Sequence, residues 1–463
     1  MLAGGLLTLA LALVPWPTPG WQESRDSKKN GAPRQRGSRA IFYVQLFFVA
    51  AFLIYLAIGA LNPAWQIVSD ERGWWLAAME PPLADWLPTS VASTYEPMSA
   101  WRIFNMHLAA FSLALGLFAG LNRRTTVLWA VWAFVISVSA MACVAILQKY
   151  TSTESVLGVF KSENPRFWGS FFYRNQAVAY LNWGIVIAGV LYFYHARRTR
   201  EEGRSGGPHF LAICLVGLIA VSVALALSRG GILFGAVLVL VFIMLVAIDY
   251  LSHAFAQLSR HTIWAISTIT LILVLLLFSG LFQAQKAIDW QAIETRFGDL
   301  EADIQNVDKD ARMLSSRLTL EMAQDSIWTG WGAGSFRYVF PMYQQKIPDF
   351  FHHYYHRGKK QWIGRRFFRY AHNDILQFLA EYGRVGSGLL ILAIVSFLLP
   401  VLRGILHSPM PNLYLLAGVV VCMSHAFFDF IFHSPAYWVA LITGIALVGR
   451  LHMLEWRVSR LTS

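Results

Sequence analysis

The chain is short of charge and of cysteine, and each shortage excludes a broad class of protein. Charged residues make up only 14% of its 463 residues against 56% hydrophobic, and the mean hydropathy is +0.48. A water-soluble surface needs more polar residues than that, so the composition is that of a membrane protein. The 3 cysteines, Cys143, Cys214 and Cys422, all fall inside long apolar runs. They offer neither a disulfide framework nor a Cys-rich metal site and read as small packing hydrophobes. Acidic residues are scarcer than basic ones, 26 against 38, which leaves a net charge of +12. In a membrane chain the location of that excess, more than its size, separates an orientation signal from an anionic substrate. No internal repeat is visible, so the paired-halves signature of a transporter is without support.

Long apolar runs are what the sequence has in abundance. A helix needs roughly 20 mostly apolar residues to cross hydrocarbon, and eleven stretches are candidates: 2–16, 40–62, 101–121, 127–148, 177–195, 210–228, 231–250, 263–284, 385–402, 413–432 and 437–453. The first is short, lacks a basic leader and stops at Pro15, Pro17 and Pro19. Because lipid leaves the backbone no partner but itself, the expected fold class is all-α. The architecture is a polytopic transmembrane helical bundle of about eleven spans, with one large loop at 285–384. Membrane helices over 1–164, a core over 165–450 and a tail over 451–463 complete the expected organisation.

Most of the cations sit in short loops at 21–39, 122–126, 196–209, 251–262 and 403–412 and after 449, among them Arg123, Arg124, Arg197, Arg198, Arg200, Arg403 and Arg450. Placing these loops in the cytoplasm satisfies the positive-inside rule and puts 285–384 on the outer face. A loop that long translocates regardless of its charge, so its own cations need another explanation. Residues 289–327 read as an amphipathic helix with a solvated acidic face at Asp299, Glu301, Asp303, Asp308 and Asp310. Residues 346–369 carry Lys346, Arg357, Lys359, Lys360, Arg365, Arg366 and Arg369 among histidines and aromatics, with Asp349 as the single acid. That mixture suits phosphate head groups and the bilayer interface, and it reads equally as a solvated basic face.

Charged side chains at the rim of membrane helices are costly unless something pairs with them, which makes them candidate sites. Ser228-Arg229-Gly230-Gly231 lies between two apolar helices with no acidic residue near it in the chain. A guanidinium there is a fork for a phosphate or a lone charge reaching for the interface. Arg317 precedes the Gly-rich run Gly330-Trp331-Gly332-Ala333-Gly334-Ser335, whose amides could face a ligand; alone, Arg317 reads as a surface residue. No Lys-Ser/Thr pair completes a phosphate-binding P-loop. His372, followed by Asn373 and Asp374, is a candidate general base. His425, Asp429 and His433, four apart, would share one helix face. A packing His–Asp hydrogen bond is favoured there over a metal site. Arg174 and Asn175 enter the membrane together.

Taken in order, Gly169–Leu181 with Asn175, Ser228-Arg229-Gly230-Gly231, Arg317 ahead of Gly330–Phe336, and His372-Asn373 ahead of Gly383 resemble the O-antigen ligase and polymerase family of bacterial glycan enzymes. The resemblance covers about 165–450. It implies a helical membrane glycosyltransferase of the bacterial plasma membrane, with its active site on the periplasmic side. The donor would be a glycan on undecaprenyl pyrophosphate, and the acceptor a growing glycan, a lipid A core or a protein hydroxyl. It implies inversion at the anomeric carbon, no cofactor, no metal ion and no nucleic acid partner. Arg229, Arg317 and His372 would be catalytic: the arginines would hold the pyrophosphate and His372 would activate the acceptor. Arg174, Asn175, Asn373, Gly332 and Gly334 would bind substrate. The rival class is a transporter, which would want ionisable groups near the bilayer midplane.

Overall fold

The computed structural model describes residues 36–462, except 71–72, 94–98, 152–154, 158, 163–165, 256–310, 353, 357–359 and 406–407. The expected spans at 2–16 and 263–284 and the acidic run at 299–310 lie outside the described residues. The chain divides into two compact units. The first comprises Met1–Val131, Asp308–His407 and Ala426–Ser463; the second comprises Trp132–Val307 and Ser408–His425.

The fold is all-α, 72% helical with little strand. Among the described residues, seven helices are long and apolar enough to cross a membrane: Arg39–Leu61, Ala100–Gly120, Arg124–Tyr150, Arg174–Glu201, Arg229–Ser252, Asp374–Gly404 and Pro435–Glu455. Another apolar helix, His209–Leu225, is shorter. One helix in each unit is the hub. Arg174–Glu201 and Pro435–Glu455 are each 89% buried over their apolar windows, whereas in the other spans no more than 39% of that window is buried. Lipid tails are as apolar as leucine, so these helices associate through close packing, which a hub ringed by neighbours maximises.

In the first unit the helices are α1 (Arg36–Leu61), α2 (Ala100–Gly120), α10 (Asp374–Gly404) and α12 (Pro435–Thr462). A cap covers one end of them. It contains the three-stranded sheet of β1 (Pro63–Asp70), β2 (Gly73–Ala78) and β3 (Ser90–Ala92), in order β2-β1-β3. It also contains α7 (Ala311–Asp325), α8 (Phe336–Gln344), the turn α9 (Pro348–Phe351) and the hairpin of β6 (Tyr354–His356) with β7 (Gln361–Ile363). Helix α7 forms because Ser315, Leu318, Thr319, Met322 and Ala323 fall on one face and are all buried. That face meets Phe336, Val339, Phe340 and Tyr343 in the core of the cap, and Trp65, Ile67, Trp74 and Leu76 of the sheet close it. Tyr343 donates to Asp325 at 2.6 Å. Burial first, then that acceptor, pushes its hydroxyl above the ordinary tyrosine range.

In the second unit α4 (Arg174–Glu201) packs against α5 (His209–Leu225) and α6 (Arg229–Phe255). Most of α3 (Arg124–Tyr150), the short hairpin of β4 (Ser155–Val156) with β5 (Phe160–Lys161), and α11 (Pro409–Ala426) complete it. Tyr414 on α11 donates to the Leu238 carbonyl on α6 at 3.2 Å.

Two expectations are corrected. The stretch 413–432 is not one span: α11 runs Pro409–Ala426, and a turn and a 3-10 helix at Ile431–His433 follow before α12. Two carboxyl groups take the amides that a continuing helix would need: Asp429 accepts from its neighbour Phe430 at 2.9 Å, and Asp374 accepts from Phe432 at 2.8 Å. Ahead of the span read as 385–402 lies a short helix from Asp374, capped by Asn373 accepting from Leu376 N–H at 3.1 Å and joined to the span across a break at Gly383. Short strands fold in stretches read only as loops, since pairing there is decided by contacts distant in the chain.

Candidate active site

In the second unit, two helix starts come together. Arg174 is the first residue of α4 and Arg229 the first of α6, and both side chains are half-buried. Ser228 Oγ donates to Asn175 Oδ1 at 2.9 Å and accepts from the Gly231 amide at 3.3 Å. Asn182, two turns further along α4, donates to the Gly231 carbonyl at 3.1 Å. The approach depends on glycine: a Cβ at Gly231 would lie 2.1 Å from Val178 Cγ1. A helix N-terminus carries partial positive charge, so an arginine in that position gains nothing from its own helix. Two helix N-termini meet at Asn175 and Ser228, each with an arginine as its first residue, and helix N-termini suit an anion. His425 belongs here as well, with its ring 4.9 Å from that of Phe234 and its Nε2 3.4 Å from a Cβ built at Gly230.

In the first unit, His372 sits where the cap meets α10. It is a non-glycine residue in the left-handed region, φ 57°, a conformation that costs about 1–3 kcal/mol and persists only when its surroundings impose it. Those surroundings are visible on both sides. Ala371 N–H donates to Gln377 Oε1 at 2.9 Å and its carbonyl accepts from Ser315 Oγ at 3.1 Å, while Asn373 caps α10. His372 Nδ1 lies 3.8 Å from Asp429 Oδ1 and its ring stands edge-on to Phe430 at 4.7 Å. His433 lies 2.8 Å from Asp374. The three residues expected on one helix face therefore part: His425 packs beside Gly230, Asp429 approaches His372, and His433 pairs with Asp374. The His–Asp pairing read from the sequence exists, with different partners. Among the described residues no three His, Cys, Asp or Glu side chains converge as metal ligands.

The Gly-rich turn does different work from that expected of it. Its amides have protein acceptors: Gly330 on Ser326 O, Trp331 on Ala380 O, Gly332 on Glu381 O and Gly334 on Glu381 Oε2 at 2.9 Å. In exchange, Arg384 and Val385 donate to the carbonyls of Ile327 and Trp328 at 2.8 and 3.1 Å. This backbone clasp breaks α10 at Gly383, whose φ 62°, ψ −171° only glycine adopts. The site of a Cβ at Gly332 is filled by Thr89 and Ser90. Gly332 and Gly334 are thus buried clasp residues and not an open cradle for substrate. Tyr55 Oη lies 2.7 Å from the carbonyls of both Thr329 and Tyr382 and holds the clasp to α1.

Arg317 is exposed on α7, 3.8 Å from Glu321 one turn along, a weak surface pair. The arginine of α7 that reaches the Asp429 turn is Arg312, 3.5 Å from the Phe428 carbonyl. Nothing in the spacing joins 312 to 428, so the sequence alone does not single Arg312 out. Glu381, which follows the His372 motif in the chain, and Gln377 one turn before it are visible in the sequence as polar residues of an apolar helix, but their partners are not.

These helices and their packing define a multi-pass membrane protein. Residues 213–393 match the model of the O-antigen ligase family, which supports the resemblance seen in the motifs and a role in membrane glycan ligation. The match takes in Arg229, Arg317, His372 and Asn373, and it leaves Arg174, Asn175 and Asp429 outside. No curated protein matches the chain.

Proposed function

We propose that the protein transfers a glycan from undecaprenyl pyrophosphate to an acceptor hydroxyl at the outer face of the plasma membrane. The acceptor oxygen attacks the anomeric carbon from the face opposite the leaving group, so configuration inverts. The bond from that carbon to the phosphate oxygen breaks, and undecaprenyl pyrophosphate departs with the electron pair. His372 takes the hydroxyl proton, with Asp429 orienting its ring; a separation of 3.8 Å in the free protein is of the kind that shortens when substrate binds. Arg229, with Arg174 and Asn175 beside it, neutralises the charge that builds on the pyrophosphate. Arg317 is the second candidate for that task, and Arg312 is its structural competitor.

The observation that carries this reading is the meeting of two arginine-headed helix starts at the Ser228–Asn175 hydrogen bond. Two helix N-termini with an arginine at the head of each support a pyrophosphate as the leaving group. The test is transfer from purified lipid-linked oligosaccharide. Arg229→Ala should reduce the rate about 10²- to 10³-fold with membrane abundance unchanged, and a chelator should leave the native rate intact. Full activity in Arg229→Ala would sink the mechanism. Products read as a ladder, a single addition or a glycoprotein distinguish polymerase, ligase and protein glycosylation.

A further inference from the structure

We infer that His433 is a positioning residue for His372, holding the turn that carries Asp429 against the segment that carries the candidate base. The inference rests on the transferase reading for its kinetic consequences and on geometry for the rest. Gln377 fixes the chemistry of the contact. Its Oε1 accepts from Ala371 N–H at 2.9 Å, and its Nε2 points at Glu381 Oε1 at 3.0 Å and His433 Nε2 at 2.8 Å. An amide nitrogen can only donate, so His433 Nε2 is the acceptor and Nδ1 carries the proton toward Asp374 Oδ1, 2.8 Å away. Asp374 Oδ2 accepts from Phe432 N–H at 2.8 Å. Glu381 accepts in turn from the amides of Gly334 and Phe336.

One imidazole therefore joins three backbone segments: 371–374 around His372, 429–433 around Asp429, and through Gln377 and Glu381 the turn at 330–336. Its ring lies against Tyr370 at 4.3 Å and Phe378 at 6.2 Å, with 9% of its side chain exposed. Both ring nitrogens are committed to protein partners, so His433 is not itself a base for substrate. Tyr370 stacks on Phe430 at 4.9 Å, which extends the same clasp to within two residues of His372. The left-handed backbone at His372 needs this support on either side, and its distance to Asp429 is set by where the 429–433 turn is pinned. His433 pins it.

The test uses the full-length protein in lipid nanodiscs, comparing native with His433→Leu and His433→Asn. Asparagine keeps a donor near the Nδ1 position and loses the acceptor for Gln377. Three quantities are read: kcat and KM for transfer, the pH profile of kcat, and the rate at which diethylpyrocarbonate modifies His372, followed by mass spectrometry of its peptide. His433→Leu should lower kcat about 100-fold, the effect of misplacing a reacting group by an ångström. KM for the donor should stay within about twofold, as for an interaction used mainly in the transition state. The pH profile should shift, the modification rate of His372 should change at least about threefold, and His433→Asn should recover about tenfold of the lost kcat, one hydrogen bond's worth. A purely structural role predicts loss of folded protein with no shift in profile or reactivity in the molecules that remain. If His433→Leu does not fold, His433→Asn alone is read by the same criteria. An unchanged pH profile together with an unchanged His372 modification rate overturns the inference. Failure of the transferase reading shows separately, as native protein without transfer activity but with His372 reactivity that still responds to His433.

Discussion

At the scale of single residues, the sharpest consequence of the geometry concerns Asp429. Its carboxylate is buried, approaches His372 at 3.8 Å and accepts from Phe430 N–H. In the proposed mechanism Asp429 orients the His372 base, and removing such a carboxylate leaves binding in place and spoils the chemical step. Asp429→Asn should therefore lower kcat by on the order of 10²- to 10⁴-fold with KM little changed. Steady-state transfer rates across a range of acceptor concentrations check this, and an equal loss in KM would assign Asp429 to binding. Arg312 and Arg317 make a second contrast. Arg317 is exposed on α7 and Arg312 reaches the Phe428 carbonyl. If Arg312→Ala reduces transfer and Arg317→Ala does not, the second cation of the mechanism is Arg312.

At the scale of elements, the clasp between 327–332 and 380–385 is the joint on which the cap is hung. Gly383→Ala would place a Cβ 2.3 Å from Trp328 O in a backbone region closed to alanine. The variant should lose the clasp, which limited proteolysis would detect as new cleavage between 326 and 336. Inside the cap, Phe340 is fully buried and touches Phe336, Phe350 and Phe368. Phe340→Ala should destabilise the cap by about 3–5 kcal/mol, measured as a lower denaturant midpoint for its unfolding. The motif Gly330–Ser335 was legible in the sequence as something special, but its purpose was not. Glycines that expose amides to a ligand and glycines that let two backbones touch have the same spelling, and only the positions of Ala380 and Glu381 separate the two.

At the scale of the whole molecule, the expected orientation puts Lys360 outside and Arg204 in the cytoplasm. In a chain whose native cysteines are replaced by serine, Lys360→Cys in intact cells should react with a membrane-impermeant maleimide, and Arg204→Cys should react only after permeabilisation. The reverse pattern would invert the topology and remove the proposed outer-face donor.

From the sequence alone follow a helical membrane protein, the places of most of its spans and the short motifs that are candidates for chemistry. Those properties are local: hydropathy over about 20 residues, a glycine pair beside an arginine, a histidine before a capping asparagine. It could not determine partners distant in the chain. Periodicity placed His425, Asp429 and His433 on one helix, because four-residue spacing is all that a sequence displays. The tertiary structure ended that helix at Ala426. There, Asp374, 58 residues away, accepts from the Phe432 amide and pairs with His433. A hydrogen bond between segments so far apart depends on how α10 and the 429–433 turn pack, and packing is a property of the folded chain.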